Sequence, residues 1–211
     1  MDTTYFGRRF GVMVFRDYKT NSNLYWRFLP YETIQAYQKG IEYLQSFGST
    51  IEGIVCDGRR GIFNSFSSIP IQMCQYHQTA IIIRYITQNP ILEAGKELKE
   101  IIHKLRNSDK WTFEAILQNW HDQWADFLLE KSYNPITGKW HYTHRRIRSA
   151  YRSLKTNLPH LFTYLDYPSR NIPNTTNSLE GVFSYLKTKL RAHAGLSQDR
   201  KVKIINQILM K

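Results

Sequence analysis

The spacing of apolar residues changes character near residue 90, and that change confines the chain to a fold in which a mixed sheet is joined to a block of helices. Before it, strand-like runs alternate with helical ones. Residues 10–15 and 24–29 are rich in β-branched and aromatic types and flank a polar turn over 17–23, which predicts a hairpin. Pro30 opens a segment in which Ile34, Tyr37, Ile41 and Leu44 recur at helical spacing, and Gly48 ends it. Residues 51–56 form a short run of buried-strand type that stops at Asp57-Gly58. A further strand over 69–73 leads into a helix through His77, Ile81 and Tyr85. From Leu92 to about Leu158 the pattern is helical, broken by a loop over 132–139 with Asn-Pro and Thr-Gly turn signals, and Trp120 and Trp124, four residues apart on one stripe, read as core. A last helix is expected over Asn177–Ala192, with Leu179, Phe183, Leu186 and Leu190 on its apolar face and capping oxygens at Thr175, Thr176 and Asn177.

Charge narrows the partners. Twenty-nine Lys and Arg against 17 Asp and Glu leave +12, which suits a densely negative partner, nucleic acid ahead of an anionic membrane. With 42% hydrophobic and 14% aromatic residues the chain is not of the disordered type. Arg145, Arg146, Arg148 and Arg152 cluster on one predicted helix whose Ile147, Tyr151 and Leu154 face inward, and Lys187, Lys189 and Arg191 end the last helix. Phosphate contact is the functional use of such groups, and a solvated charged face the ordinary one. The two cysteines, Cys56 and Cys74, do not make a disulfide framework, so a reducing compartment is expected. No apolar run reaches the roughly 18–20 residues needed to span a bilayer, and no leader is visible. The expectation is a soluble, cytoplasmic protein with no membrane partner.

Three acids stand out by position. Asp2 starts the first strand, Asp57 ends a buried-type strand, and Glu180 lies in the first turn of the last helix. Each has an ordinary local use, since Asp-Gly is a common turn pair and a first-turn Glu complements the helix dipole. Yet Mg²⁺ and Mn²⁺ take oxygen ligands, and paired-metal phosphoryl transfer needs carboxylates that converge from separate elements. Cys74 and His77 suggest zinc, but a structural zinc needs four ligands and no second pair occurs at finger spacing. A buried Cys and a hydrogen-bonded His remain the plain alternative.

Four blocks resemble one family. Met1-Asp2-Thr3-Thr4-Tyr5-Phe6-Gly7, Val55-Cys56-Asp57-Gly58-Arg59-Arg60-Gly61, Pro70-Ile71-Gln72-Met73-Cys74-Gln75-Tyr76-His77 and Pro173-Asn174-Thr175-Thr176-Asn177-Ser178-Leu179-Glu180-Gly181 are similar to motifs of the Mutator-like DDE transposases and their bacterial insertion-sequence relatives. The resemblance implies an α/β, RNase H-like mixed sheet: residues 1–90 the first part of a catalytic core, 91–172 an α-helical insertion, and 173–211 the closing part. It implies Asp2, Asp57 and Glu180 as catalytic metal ligands, with Asp2 bridging two Mg²⁺ or Mn²⁺ ions, and Cys74 and His77 as an active-site motif. The implied function is metal-dependent DNA cleavage and strand transfer at mobile-element ends, by a homo-oligomer in the bacterial nucleoid, without a small-molecule cofactor. A catalytically idle DNA-binding remnant and an RNase H-like nuclease are the rivals. Because family members carry an N-terminal DNA-recognition region, a chain with Asp2 this near its start is expected to be N-terminally truncated, with its first strand short of its leading half.

Overall fold

Residues 10–15 run apolar without a gap because the strand they build is covered on both faces. In chain order the computed structural model, which describes residues 1–59, 61–193 and 195–210, has β1 (Asp2–Tyr5), β2 (Gly11–Arg16), β3 (Asn23–Leu29), α1 (Ile34–Ser46), β4 (Ile54–Cys56), α2 (Ile62–Ser65), β5 (Ile71–Met73) and α3 (Gln75–Ile86). Then follow α4 (Glu93–Lys104), α5 (Lys110–Gln123), α6 (Ala125–Leu129), β6 (Lys131–Asn134), β7 (Lys139–Tyr142), α7 (Arg145–Leu161), α8 (Thr163–Asp166), α9 (Asn177–Ala192) and α10 (Gln198–Leu209). The architecture is mixed α/β. The chain forms two units, one of Met1–Ile71 with Thr175–Lys211 and one of Gln72–Asn174. Among the described residues no helix is long and apolar enough to cross a membrane.

The first unit is built on β2. It pairs antiparallel with β1 on one side and β3 on the other. Successive strand residues point to opposite faces, so Met13 and Phe15 join α1 (Tyr37, Ile41, Leu44) and β4 in one core. Val12 and Val14 join Leu179, Phe183, Leu186 and Leu190 of α9 and Ile205 and Leu209 of α10 in the other. Burying each such side chain fully contributes about 1.5–3 kcal/mol. The start of α1 falls at Ile34 rather than Pro30, because the Thr33 hydroxyl accepts from the Ala36 N–H and caps the helix there. Gly48, at φ 80°, follows the helix in the left-handed conformation expected of a terminating glycine.

Helix α10 lies beyond the last element predicted from periodicity. Ser197 caps it, accepting from Arg200 N–H, and Val202, Ile205 and Leu209 supply its apolar face. Two side-chain bonds dock it on β3: Trp26 Nε1 donates to Asn206 Oδ1 at 2.8 Å, and Asn23 Nδ2 to the Leu209 carbonyl at 3.0 Å.

The second unit takes in α3 as well as the helices expected over 91–172. Three buried glutamines bind α3 and the segment before it to α7. Gln72 Nε2 and Gln75 Nε2 both donate to the Leu161 carbonyl, at 2.8 and 2.9 Å, satisfying an acceptor that the helix end leaves open. Gln78 accepts from Asn157 Nδ2 at 2.8 Å. The unit is not helix only, because β6 and β7 pair as a hairpin. Its turn is set by Asn134, whose side-chain oxygen accepts from the Ile136 and Thr137 N–H groups, and by Gly138 at φ 63°. Helix α7 also continues through Pro159 to Leu161, since in the last turn the missing N–H removes one bond without ending the helix.

Candidate metal centre

The pleat of β1 decides which way each of its side chains points. Asp2 and Thr4 stand opposite Val14 and Val12 in the register and so share the face covered by α9, while Thr3, opposite Met13, points toward α1. Glu180 sits in the first turn of α9, one residue past the buried Leu179. The helix begins at Asn177, and its N-cap is made by the backbone: the Thr176 carbonyl accepts from Leu179 and Glu180 N–H, with no side-chain cap bond from the threonine. As a result the carboxylates of Asp2, which is buried, and Glu180, which is half-buried, each offer an oxygen within 4.8 Å of the other.

Two ionised carboxylates at that separation would repel by about 3.5 kcal/mol at an effective dielectric of about 20, and a bound cation would lower that repulsion. The two carboxylates are of the donor type that suits Mg²⁺ or Mn²⁺. Both ions prefer oxygen ligands, at roughly 2.1 Å for Mg²⁺, so two ligand oxygens of one ion stand up to about 4.2 Å apart.

Asp57 does not join the pair at that distance. It follows β4, in a turn where Gly58 has φ 84°, and its Oδ1 accepts from Arg59 N–H at 3.1 Å. The Met1 ammonium donates to the Val55 carbonyl at 2.9 Å, so the segment carrying Asp57 runs beside the start of β1. The Asp57 turn is further tied to the rest of the unit through Glu32, which neither periodicity nor a motif singles out, together with Arg59 of the second motif block and Tyr37 of the α1 periodicity. Arg59 donates from Nη1 to Glu32 Oε2 at 2.9 Å and from Nη2 to the Glu32 carbonyl at 2.7 Å. Tyr37 donates to Glu32 Oε1 at 2.6 Å and also meets Thr3 Oγ1 at 2.9 Å. Burial, and then the neighbouring Glu32 charge, push the Tyr37 hydroxyl far above its ordinary pKa of 10.0, so it stays a donor.

The other sequence-derived residues fall as follows. Cys74 is buried at the N-cap of α3 in the second unit, and His77, one turn on, is half-buried with its ring 5.9 Å from that of Tyr76. On α7, Arg145, Arg146 and Arg152 are exposed, and Arg146 donates to the Arg84 carbonyl at 2.7 Å. Arg148 donates to the Leu128 carbonyl and lies over the Tyr142 ring, 3.5 Å from its centroid. Arg148, Arg152 and His121 line a cavity of about 210 Å³ within the second unit. On α9, Lys187 is half-buried, Lys189 and Arg191 are exposed, and the Lys189 ammonium lies 5.3 Å from the Tyr185 ring centroid.

No family model matches the chain, and no curated protein or solved structure matches it.

Proposed function

We propose that the chain is the catalytic core of a DNA transposase of the Mutator-like DDE kind, with an RNase H-like sheet, acting on the phosphodiester backbone with Mg²⁺ or Mn²⁺. The observation that carries the reading is the pairing of Asp2 and Glu180, which come from opposite ends of the chain to within 4.8 Å. Each belongs to a motif block that resembles the family. The strand order β1-β2-β3, with β4 beside β1 at the Met1–Val55 hydrogen bond, supports the fold.

In this reading Asp2 and Glu180 hold the cation from a strand and a helix, and Asp57 completes the ligand set from the turn after β4. A bound divalent ion supplies Lewis acidity at the scissile phosphate and a more acidic water at neutral pH. The side chains do not form a covalent bond to DNA; they fix the geometry in which an incoming oxygen attacks in line with the leaving one. Arg145 and Arg152, exposed on a helix that bears no acidic residue, meet phosphates without reading sequence.

The test is incubation of the purified chain with duplex DNA in Mg²⁺ or Mn²⁺. Metal-dependent cleavage leaving a free 3′-hydroxyl, lost in Asp2→Asn and Glu180→Gln, is the expected result; cleavage unchanged in both variants overturns the assignment. One observation favours a second reading, a DNA-binding relative that does not cleave: Asp57 stands outside the Asp2–Glu180 pair. That reading expects salt-sensitive DNA binding with no response to divalent metal.

A further inference from the structure

Residue 32 bonds to three separate parts of the first unit. Its N–H donates to the Tyr5 hydroxyl of β1 at 2.7 Å, its two carboxylate oxygens accept from Tyr37 of α1 and from Arg59, and its carbonyl accepts from Arg59 again. The carboxylate side chain is only 14% exposed, so these bonds are shielded from competing water. Tyr37 has one hydroxyl proton and gives it to Glu32, so at the Thr3–Tyr37 contact the threonine donates. Thr3 N–H in turn donates to Asp2 Oδ1 at 2.7 Å, and Arg59 N–H to Asp57 Oδ1. One hydrogen-bonded chain therefore runs from Asp2 through Thr3, Tyr37, Glu32 and Arg59 to Asp57.

We propose that Glu32 is a positioning residue that fixes the Asp57 turn against β1 by holding the Arg59 guanidinium, with Tyr37 and Tyr5 anchoring Glu32 itself. The proposal rests on the reading of Asp2 and Asp57 as ligands of one metal centre. The Asp57 turn has glycines at φ 84° and 91°, positions 58 and 61, where the backbone is at its freest, so bonds from outside the turn narrow its course. Arg59 supplies that bonding. Its two nitrogens grip a side-chain oxygen and a main-chain oxygen of the same residue, which sets angle as well as distance. Groups that orient metal ligands commonly change metal affinity or activity by about 10–100-fold when replaced.

The experiment is Mn²⁺ titration of the full chain, followed by the electron-spin signal of free Mn²⁺. The variants are Glu32→Gln, Asp57→Asn and the double variant, each checked by circular dichroism and melting. Glu32→Gln is expected to weaken Mn²⁺ binding about tenfold, and to weaken it no further once Asp57 is already Asn. An unchanged affinity in Glu32→Gln overturns the proposal. So does an equal loss in the Asp57→Asn background, because a general structural defect would act whether or not Asp57 is a ligand. If Asp57→Asn itself leaves Mn²⁺ binding untouched, the ligand reading fails and the proposal with it. Should Glu32→Gln not fold, Arg59→Lys, which keeps the charge but cannot grip both oxygens, is read the same way.

Discussion

Replacing Gly40 by alanine sets helix propensity against packing. Gly40 lies inside α1, where alanine is favoured over glycine by about 1 kcal/mol. A Cβ at this position would stand 2.4 Å from Phe15 Cζ and 2.5 Å from Phe15 Cε2, well inside the roughly 3.5–4.0 Å of a favourable carbon contact. Phe15 cannot step aside, being 4% exposed with the rings of Tyr25 and Tyr37 at 5.7 and 6.1 Å. Overpacking of this kind costs about 1–3 kcal/mol, so the balance is a net loss of up to about 2 kcal/mol. Urea unfolding followed by circular dichroism measures it, and Gly40→Ala combined with Phe15→Leu, which removes the obstructing ring, should recover part of the penalty specific to the alanine. Stabilisation by about 1 kcal/mol in Gly40→Ala alone would show that α1 does not pack on β2 as described.

Two further outcomes concern charge. Asp17 is held below its ordinary 3.8 by the Thr20 hydroxyl, which donates at 2.6 Å, with the Thr20 and Lys19 N–H groups and the Lys19 charge adding to it. A depressed carboxyl contributes stability that is complete above its unfolded value and lost as pH falls through the lower folded one. Asp17→Asn should therefore flatten the decline of the urea midpoint below about pH 4, and a slope equal to that of the unsubstituted chain contradicts the assignment. For the basic helix, Arg145→Gln with Arg152→Gln should lower the slope of log binding constant against log salt by about 2 on duplex DNA, at about 0.9 per phosphate contact; an unchanged slope removes α7 from the DNA contact.

How far the sequence predicts these features depends on how local their causes are. Leu179, Phe183, Leu186 and Leu190 recur every three or four residues, and α9 spans the residues that spacing predicts. The unbroken apolar run at 10–15 likewise marks β2, buried on both faces. The β6–β7 hairpin had a legible signal, an Asn-Pro turn with Gly138 four residues after Asn134 and aromatics on both sides; Tyr133 and Trp140 now pair with ring centroids 5.4 Å apart. Helix α10 had one too, in the Ser197 cap and the spacing of Val202, Ile205 and Leu209. Asp2 and Glu180 stand out by position and by motif, and what joins them is a long-range consequence of strand register and helix face. Glu32 carries no local signal, and although Tyr37 lies in a helical stripe and Arg59 in a motif block, nothing local shows that they meet at Glu32, because their pairing depends on how α1 and the turn after β4 meet.

The most direct measurement of the central claim is calorimetric titration of Mn²⁺ into the chain and into Asp2→Asn and Glu180→Gln. Saturable binding weakened about tenfold or more in each variant is the result predicted by two carboxylates sharing one cation. Binding of equal strength in all three would mean that Asp2 and Glu180 stand together for another reason.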